Sequence, residues 1–156
     1  DAVSASVELT EMAAWYASQG MTLYDALQAL YQKYGCYGEK TLNLVMPGLD
    51  GLKKMADLMA GLRRNPPAEI AGTAVRQQKD YQDGSVVNVA DGARSAMELS
   101  GSNVLRYELA DGTSVIVRPS GTEPKVKVYI LAQGRDQVDC ADKVARYVAW
   151  AESLNH

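Results

Sequence analysis

Two adjacent prolines, Pro66-Pro67, constrain this chain more than any other feature, because the apolar pattern is helical before them and alternating after them. Proline lacks an amide donor and pushes the residue before it out of the helical region, so Asn65-Pro66-Pro67 ends the preceding helix and begins extended chain. A change of period at such a break predicts helices upstream and a sheet downstream.

Upstream, Leu9, Met12, Ala13 and Tyr16 fall on one helical stripe that Gly20 ends. Thr22 with Asp25 three positions on has the form of a capping box. Leu23, Leu27, Leu30, Tyr31 and Tyr34 make the stripe of the helix it starts, closed by Gly35. Residues 42–45 are extended. Beyond Pro47-Gly48, the residues Leu52, Met55, Met59 and Leu62 form a third stripe, with Arg63 and Arg64 at the end where open carbonyls favour cations.

Downstream, residues 75–81 and 86–89 alternate as strands about an Asp83-Gly84 turn, and 91–99 is expected as a short helix. Leu105, Tyr107 and Leu109 alternate with Arg106 and Glu108 and lead through Asp111-Gly112 into a strand over 113–117. Residues 126–131 give another strand. Asp136 caps a last helix with Cys140, Val144, Tyr147, Val148 and Ala151 on one face. Trp15 and Trp150 stand on helical stripes and are expected in the core. The fold class is α+β: an antiparallel sheet with packed helices over 71–156, after a mainly helical segment over 1–70.

Charge and cysteine usage exclude several kinds of function. A net charge of -3 on 156 residues leaves no basic excess for nucleic acid or an anionic membrane, so any anion site must be local. No run approaches the ~20 apolar residues of a membrane span, and no basic start with an apolar run marks a secretion signal. Cys36 and Cys140 are far apart with no metal-ligand spacing, so a zinc site and a disulfide are not expected and a cytoplasmic location is. The only histidine is His156, which removes Ser-His-Asp and Cys-His chemistry. Asp80, Asp83, Asp91 and Asp111 have the spacing of turn residues rather than of metal ligands. The start at Asp1-Ala2-Val3, without methionine, is expected for a piece of a longer chain.

Between the strands ending at Val117 and starting at Val126 lies Arg118-Pro119-Ser120-Gly121-Thr122-Glu123-Pro124-Lys125. Arg118 offers a planar fork of donors that matches phosphate oxygens, and Ser120 and Thr122 add hydroxyl donors. Gly121 permits a positive φ and a concave nest of amides; Pro119 and Pro124 limit the loop's freedom and so the entropy lost on binding. Lys125 and Lys127 add positive charge, on one side of the strand if the loop has ended by Lys125. A hairpin connection uses the same small residues with its Arg and Lys solvated, so composition leaves both readings open.

The contiguous string from Arg118 to Lys125, followed by Val126-Lys127-Val128-Tyr129-Ile130, closely resembles the C-terminal phosphate-binding loop of the α-D-phosphohexomutases, the phosphoglucomutase and phosphomannomutase family. Thr22-Leu23-Tyr24-Asp25-Ala26-Leu27, Tyr34-Gly35 and Asn65-Pro66-Pro67 are similar to the matching segment of bacterial phosphoglucomutases, so the resemblance runs along nearly the whole chain.

The resemblance implies the end of a third domain over 1–70 and a complete fourth domain, similar in fold to the TATA-binding protein, over 71–156. It implies a role in holding substrate phosphate for Arg118, Ser120, Gly121, Thr122, Lys125 and Lys127, with no catalytic and no metal-binding residue among them. The parent would interconvert hexose 1-phosphate and hexose 6-phosphate, glucose 1- and 6-phosphate being the expected substrates, through a bisphosphate intermediate. Its nucleophilic serine and its Mg²⁺-binding aspartate loop belong to upstream domains, and neither motif occurs in this sequence. A chain of this extent is therefore expected to be inactive alone. The other reading is a free-standing module that binds a phosphate ligand without catalysis.

Overall fold

The computed structural model describes residues 1–155, so His156 and the reading placed on it lie outside the described residues. Contacts divide the chain after Cys36, not at the prolines where the period changes. The first unit holds α1 (Ala2–Ser18) and α2 (Leu23–Tyr34). Asp1 caps α1 by accepting the Ser4 N–H at 2.9 Å. The capping box forms as expected: Thr22 Oγ1 accepts the Asp25 N–H and Asp25 Oδ2 accepts the Thr22 N–H.

No residue of α1 is buried, and Ala26 alone is buried in α2. Trp15, expected in the core, is 58% exposed and meets only Tyr16 edge-on, at 4.7 Å between ring centroids. A unit of 36 residues has too little interior to enclose an indole.

The second unit, from Tyr37 on, is built on β1 (Cys36–Val45), β2 (Glu69–Ile70), β3 (Thr73–Asp80), β4 (Ser85–Asn88), β5 (Arg94–Ala96), β6 (Leu105–Leu109), β7 (Ser114–Pro119) and β8 (Lys125–Gly134). Two helices, α3 (Gly51–Arg64) and α4 (Gln137–Ser153), complete it. The strand order is β1-β8-β7-β6-β3-β4-β5, with β2 beside β3, and the pairings among β2 to β8 are antiparallel. The α+β class with an antiparallel sheet is thus what the chain adopts.

Three of the four aspartates sit in turns, while Asp80 ends β3 and is buried. Asp83, Asp91 and Asp111 each accept the N–H two residues on, from Ser85, Ala93 and Thr113. Residues 91–99 do not form the expected helix: Gly92 takes φ 71°, which turns the chain back, and 94–96 pair with β4 as an exposed edge strand. A nine-residue helix interrupted by glycine is marginal by itself, so cross-strand hydrogen bonding prevails.

Alternation sorts the sheet into two faces. Val115 and Val117, Val126, Val128 and Ile130, and Leu105, Tyr107 and Leu109 are buried; their neighbours point the other way. The buried face forms one core with Leu44 of β1 and Met46 just after it, Met59 and Leu62 of α3, and Tyr147 and Ala151 of α4. This is why the contact boundary falls at the start of β1. The apolar stripe of α3, upstream of the prolines, belongs to the sheet's core. Arg63, in the last turn of α3 as expected, follows the same direction and donates to Asp80 on β3 at 2.7 Å.

Asp111 pins α4 to the β6–β7 turn. Its carboxylate accepts the Thr113 N–H at 3.0 Å and the Tyr147 hydroxyl at 2.7 Å, with Arg146 at 3.5 Å and Lys143 at 3.9 Å. Burial alone would raise its pKa, but these partners outweigh burial and hold it below the ordinary 3.8. Stability from this carboxylate is therefore complete above that value and is lost as pH falls through the lower folded pKa. Asp111→Asn is expected to cost about 1–2 kcal/mol at pH 7, with a smaller gap to the parent near pH 3. Urea unfolding at the two pH values checks this, and an equal gap at both would refute it.

Candidate functional site

The sheet's other face carries the charged residues that the loop reading singled out. β7 ends at Pro119 and β8 begins at Lys125, so Lys125 and Lys127 share one face of β8. The condition for placing the two lysines together is met. Arg118 lies directly opposite Lys127 in the β7–β8 register. Residues so paired stand about 5 Å apart at Cβ, and like charges in that position repel. Among the described residues neither the Arg118 nor the Lys127 side chain has an ion-pair or hydrogen-bond partner.

The connection itself is short and held at both ends. The Ser120 N–H donates to the Lys125 carbonyl at 2.9 Å and closes it, while the Lys125 N–H donates to the Glu123 carbonyl at 2.7 Å. The Met46 N–H donates to the Pro124 carbonyl at 2.8 Å, which ties the tip to the chain leaving β1. α3 starts against the same point: a Cβ on Gly51 would stand 2.9 Å from Pro124 Cβ and 2.1 Å from the Met46 carbonyl oxygen. Only glycine allows this approach.

Inside the loop, the Thr122 N–H reaches Ser120 Oγ at 3.4 Å, a weak contact that leaves the serine hydroxyl proton for another acceptor. Among the described residues the Gly121 and Glu123 N–H groups have no partner, and both residues are exposed. The expected positive φ at Gly121 is not found; the glycines with positive φ lie elsewhere. A Cβ on Gly121 would meet no protein atom within 4 Å, so the glycine leaves open space at the tip rather than enabling a strained turn.

Lys125 forms an ion pair with Glu123 across the tip. The Lys125 hydrogen bond, its charge and the charge of Lys127 hold the Glu123 carboxyl below the usual carboxylate range. Three cations against one carboxylate leave an excess of two positive charges on this patch of a chain whose net charge is -3. The Ser120 and Thr122 hydroxyls and the unpartnered Gly121 and Glu123 amides belong to the same connection. The arrangement can accept a doubly charged oxyanion on donors of both kinds.

Towards the middle of the same face lies a cluster that the sequence pattern did not reveal. Glu108 pairs with Lys79 at 3.0 Å and with Arg106 at 2.9 Å, and Ser114 Oγ donates to it at 3.2 Å. Burial would raise the Glu108 pKa, but Lys79 and Arg106 outweigh it and lower the pKa. Its two cations share one carboxylate, whereas the side chains of Arg118 and Lys127 form no ion pair among the described residues. The register of β3 on β6 creates it, and single-strand periodicity does not show register. Among the described residues no group of three or more His, Cys, Asp or Glu is arranged to hold a metal ion, and no helix is long and apolar enough to cross a membrane.

Comparison with known proteins matches residues 43–146 to the phosphoglucomutase/phosphomannomutase C-terminal domain, a span that contains the whole loop. The phosphoglucomutase of Staphylococcus aureus strain N315 is 36% identical over 143 residues, and that of strain MSSA476 is 35% identical over the same length. In both cases the match takes in 89% of this chain and 26% of the relative, so the chain spans about a quarter of the proteins it resembles. Among solved structures, the open form of the exocytosis-sensitive phosphoprotein parafusin, a phosphoglucomutase from Paramecium, aligns with a TM-score of 0.46 and 15% identity. It covers 85% of this chain and 23% of that one. By the domain match and the shared identity, the chain belongs to the phosphoglucomutase/phosphomannomutase family and carries its C-terminal domain.

Proposed function

We propose that the loop 118–125, with Lys127, grips the phosphate of a phosphosugar in a parent enzyme that interconverts hexose 1-phosphate and hexose 6-phosphate through a bisphosphate. The observation that carries this reading is the direct opposition of Arg118 and Lys127, two cations whose side chains form no ion pair among the described residues. Paired strands gain nothing from like charges held together, so the arrangement is accounted for by an anion that joins them. Arg118 would make the forked contact, Ser120 and Thr122 the hydroxyl contacts, and the Gly121 and Glu123 amides the main-chain ones.

A site of this kind suits a mutase because it reads the charge and shape of phosphate and not the sugar carbon that bears it. A bisphosphate that turns over between two phosphoryl transfers can then present either end. The glucose phosphates are our proposed substrates, since the relatives matched are phosphoglucomutases. The nucleophile and the Mg²⁺ would come from upstream domains. The described residues offer no suitable donor set for that ion, and no step here is routed through it.

The test uses the complete protein and the 156-residue chain side by side, with glucose 1-phosphate as substrate and inorganic phosphate as ligand. Formation of glucose 6-phosphate by the complete protein, with phosphate binding but no turnover by the chain, is the expected result. Turnover by the chain itself, or no turnover by either, would reject the proposal; binding without turnover in both would favour the non-catalytic module.

A further inference from the structure

The phosphate loop contains its own anion. Glu123 lies between Gly121 and Lys125, pairs with Lys125, and has a carboxylate side chain that is 58% exposed. Lys125 shares its strand face with Lys127, which stands opposite Arg118. One internal carboxylate thus pairs with Lys125 and feels the charge of Lys127, two of the three cations that a phosphate would use, in a loop whose other side chains and free amides are donors or neutral.

We infer that Glu123 is a resident counter-ion that holds Lys125 in the empty loop and opposes the incoming phosphate, so that it limits how tightly the loop keeps its ligand. The inference rests on the phosphate-holding role proposed for the loop. An exposed ion pair is weak, so a dianion bound by Arg118, Lys127 and the loop amides can draw Lys125 away from Glu123. A monoanion competes less well for the same lysine. The carboxylate then favours dianionic groups and speeds their release. Release matters for an intermediate that must leave the loop, turn and bind again.

The same chemistry makes the prediction directional. Glu123→Gln keeps the size and hydrogen-bonding capacity of the side chain but removes the charge. In the complete protein, inorganic phosphate and glucose 1-phosphate should each bind about two- to fivefold tighter, mostly through slower dissociation. The KM for glucose 1-phosphate should fall with affinity, and kcat should fall where release limits turnover. Calorimetry gives the affinities and stopped-flow displacement the dissociation rates.

Unchanged or weaker phosphate binding in Glu123→Gln, with circular dichroism like that of the parent, would overturn the inference by making the carboxylate neutral or helpful to binding. Arg118→Ala, measured beside it, separates the two readings. Weaker binding in Arg118→Ala with no gain in Glu123→Gln rejects the counter-ion alone. No change in either variant rejects the phosphate site as well.

Discussion

Replacing Arg118 by alanine is expected to weaken phosphosugar binding to the complete protein by about 10- to 100-fold, the loss of one charge-assisted forked contact worth roughly 1.5–3 kcal/mol. The fold should be unaffected, because the side chain is exposed and has no partner among the described residues. The unliganded protein should even gain about 0.2–1 kcal/mol, since the substitution removes the like-charge pair with Lys127. Stability and affinity thus move in opposite directions, which a merely structural arginine would not produce. Equilibrium titration with glucose 1-phosphate and urea unfolding of the same variant measure the two effects. Unchanged affinity, or a loss of stability that tracks the loss of binding, would reject the assignment of Arg118 to the ligand.

Much of this site could be recognised from local sequence, because its parts are contiguous. Alternation around Val126 and Val128 already put Lys125 and Lys127 on one face once the strand began at Lys125. The turn aspartates and the caps at Thr22 and Asp136 were legible for the same reason, since an Asx turn or a cap is completed within four residues. Strand register is different. That Arg118 faces Lys127, or that Glu108 gathers Lys79 and Arg106, depends on how strands align across the sheet, and no single strand contains that information.

Other expectations failed where tertiary contacts outweighed local pattern. Residues 94–96 paired at an edge instead of coiling, and Gly121 served the space around the loop tip, not its backbone angle. The proline pair marked a true change of period, yet it did not mark the limit of the compact unit. Helical periodicity identifies α3 but cannot say which sheet its stripe will cover.

The second large effect concerns that helix. Arg63 Nε donates to Asp80 Oδ2 at 2.7 Å and Nη2 to Asp80 Oδ1 at 3.2 Å, while Nη2 also reaches Asn103 Oδ1 at 2.7 Å. The pair is largely enclosed, with side-chain exposures of 23% and 12%. Burial, and then the Asp80 charge, pushes the neighbouring Tyr107 hydroxyl far above its usual range, as expected for a carboxylate in poorly hydrated surroundings. Arg63→Ala would leave that carboxylate without its cation, at a cost of about 3–5 kcal/mol, a large share of the roughly 5–15 kcal/mol that holds a domain together. Arg63→Met with Asp80→Leu should recover part of the loss by removing both charges, though the Gln82 N–H then loses its acceptor. Urea unfolding followed by tryptophan fluorescence and by circular dichroism decides the matter. A loss below about 1 kcal/mol would put the pair among ordinary surface contacts. A large loss with one coincident transition by both probes would mean that α3 and the sheet unfold together, so that the folding unit carrying the phosphate loop begins upstream of Pro66-Pro67.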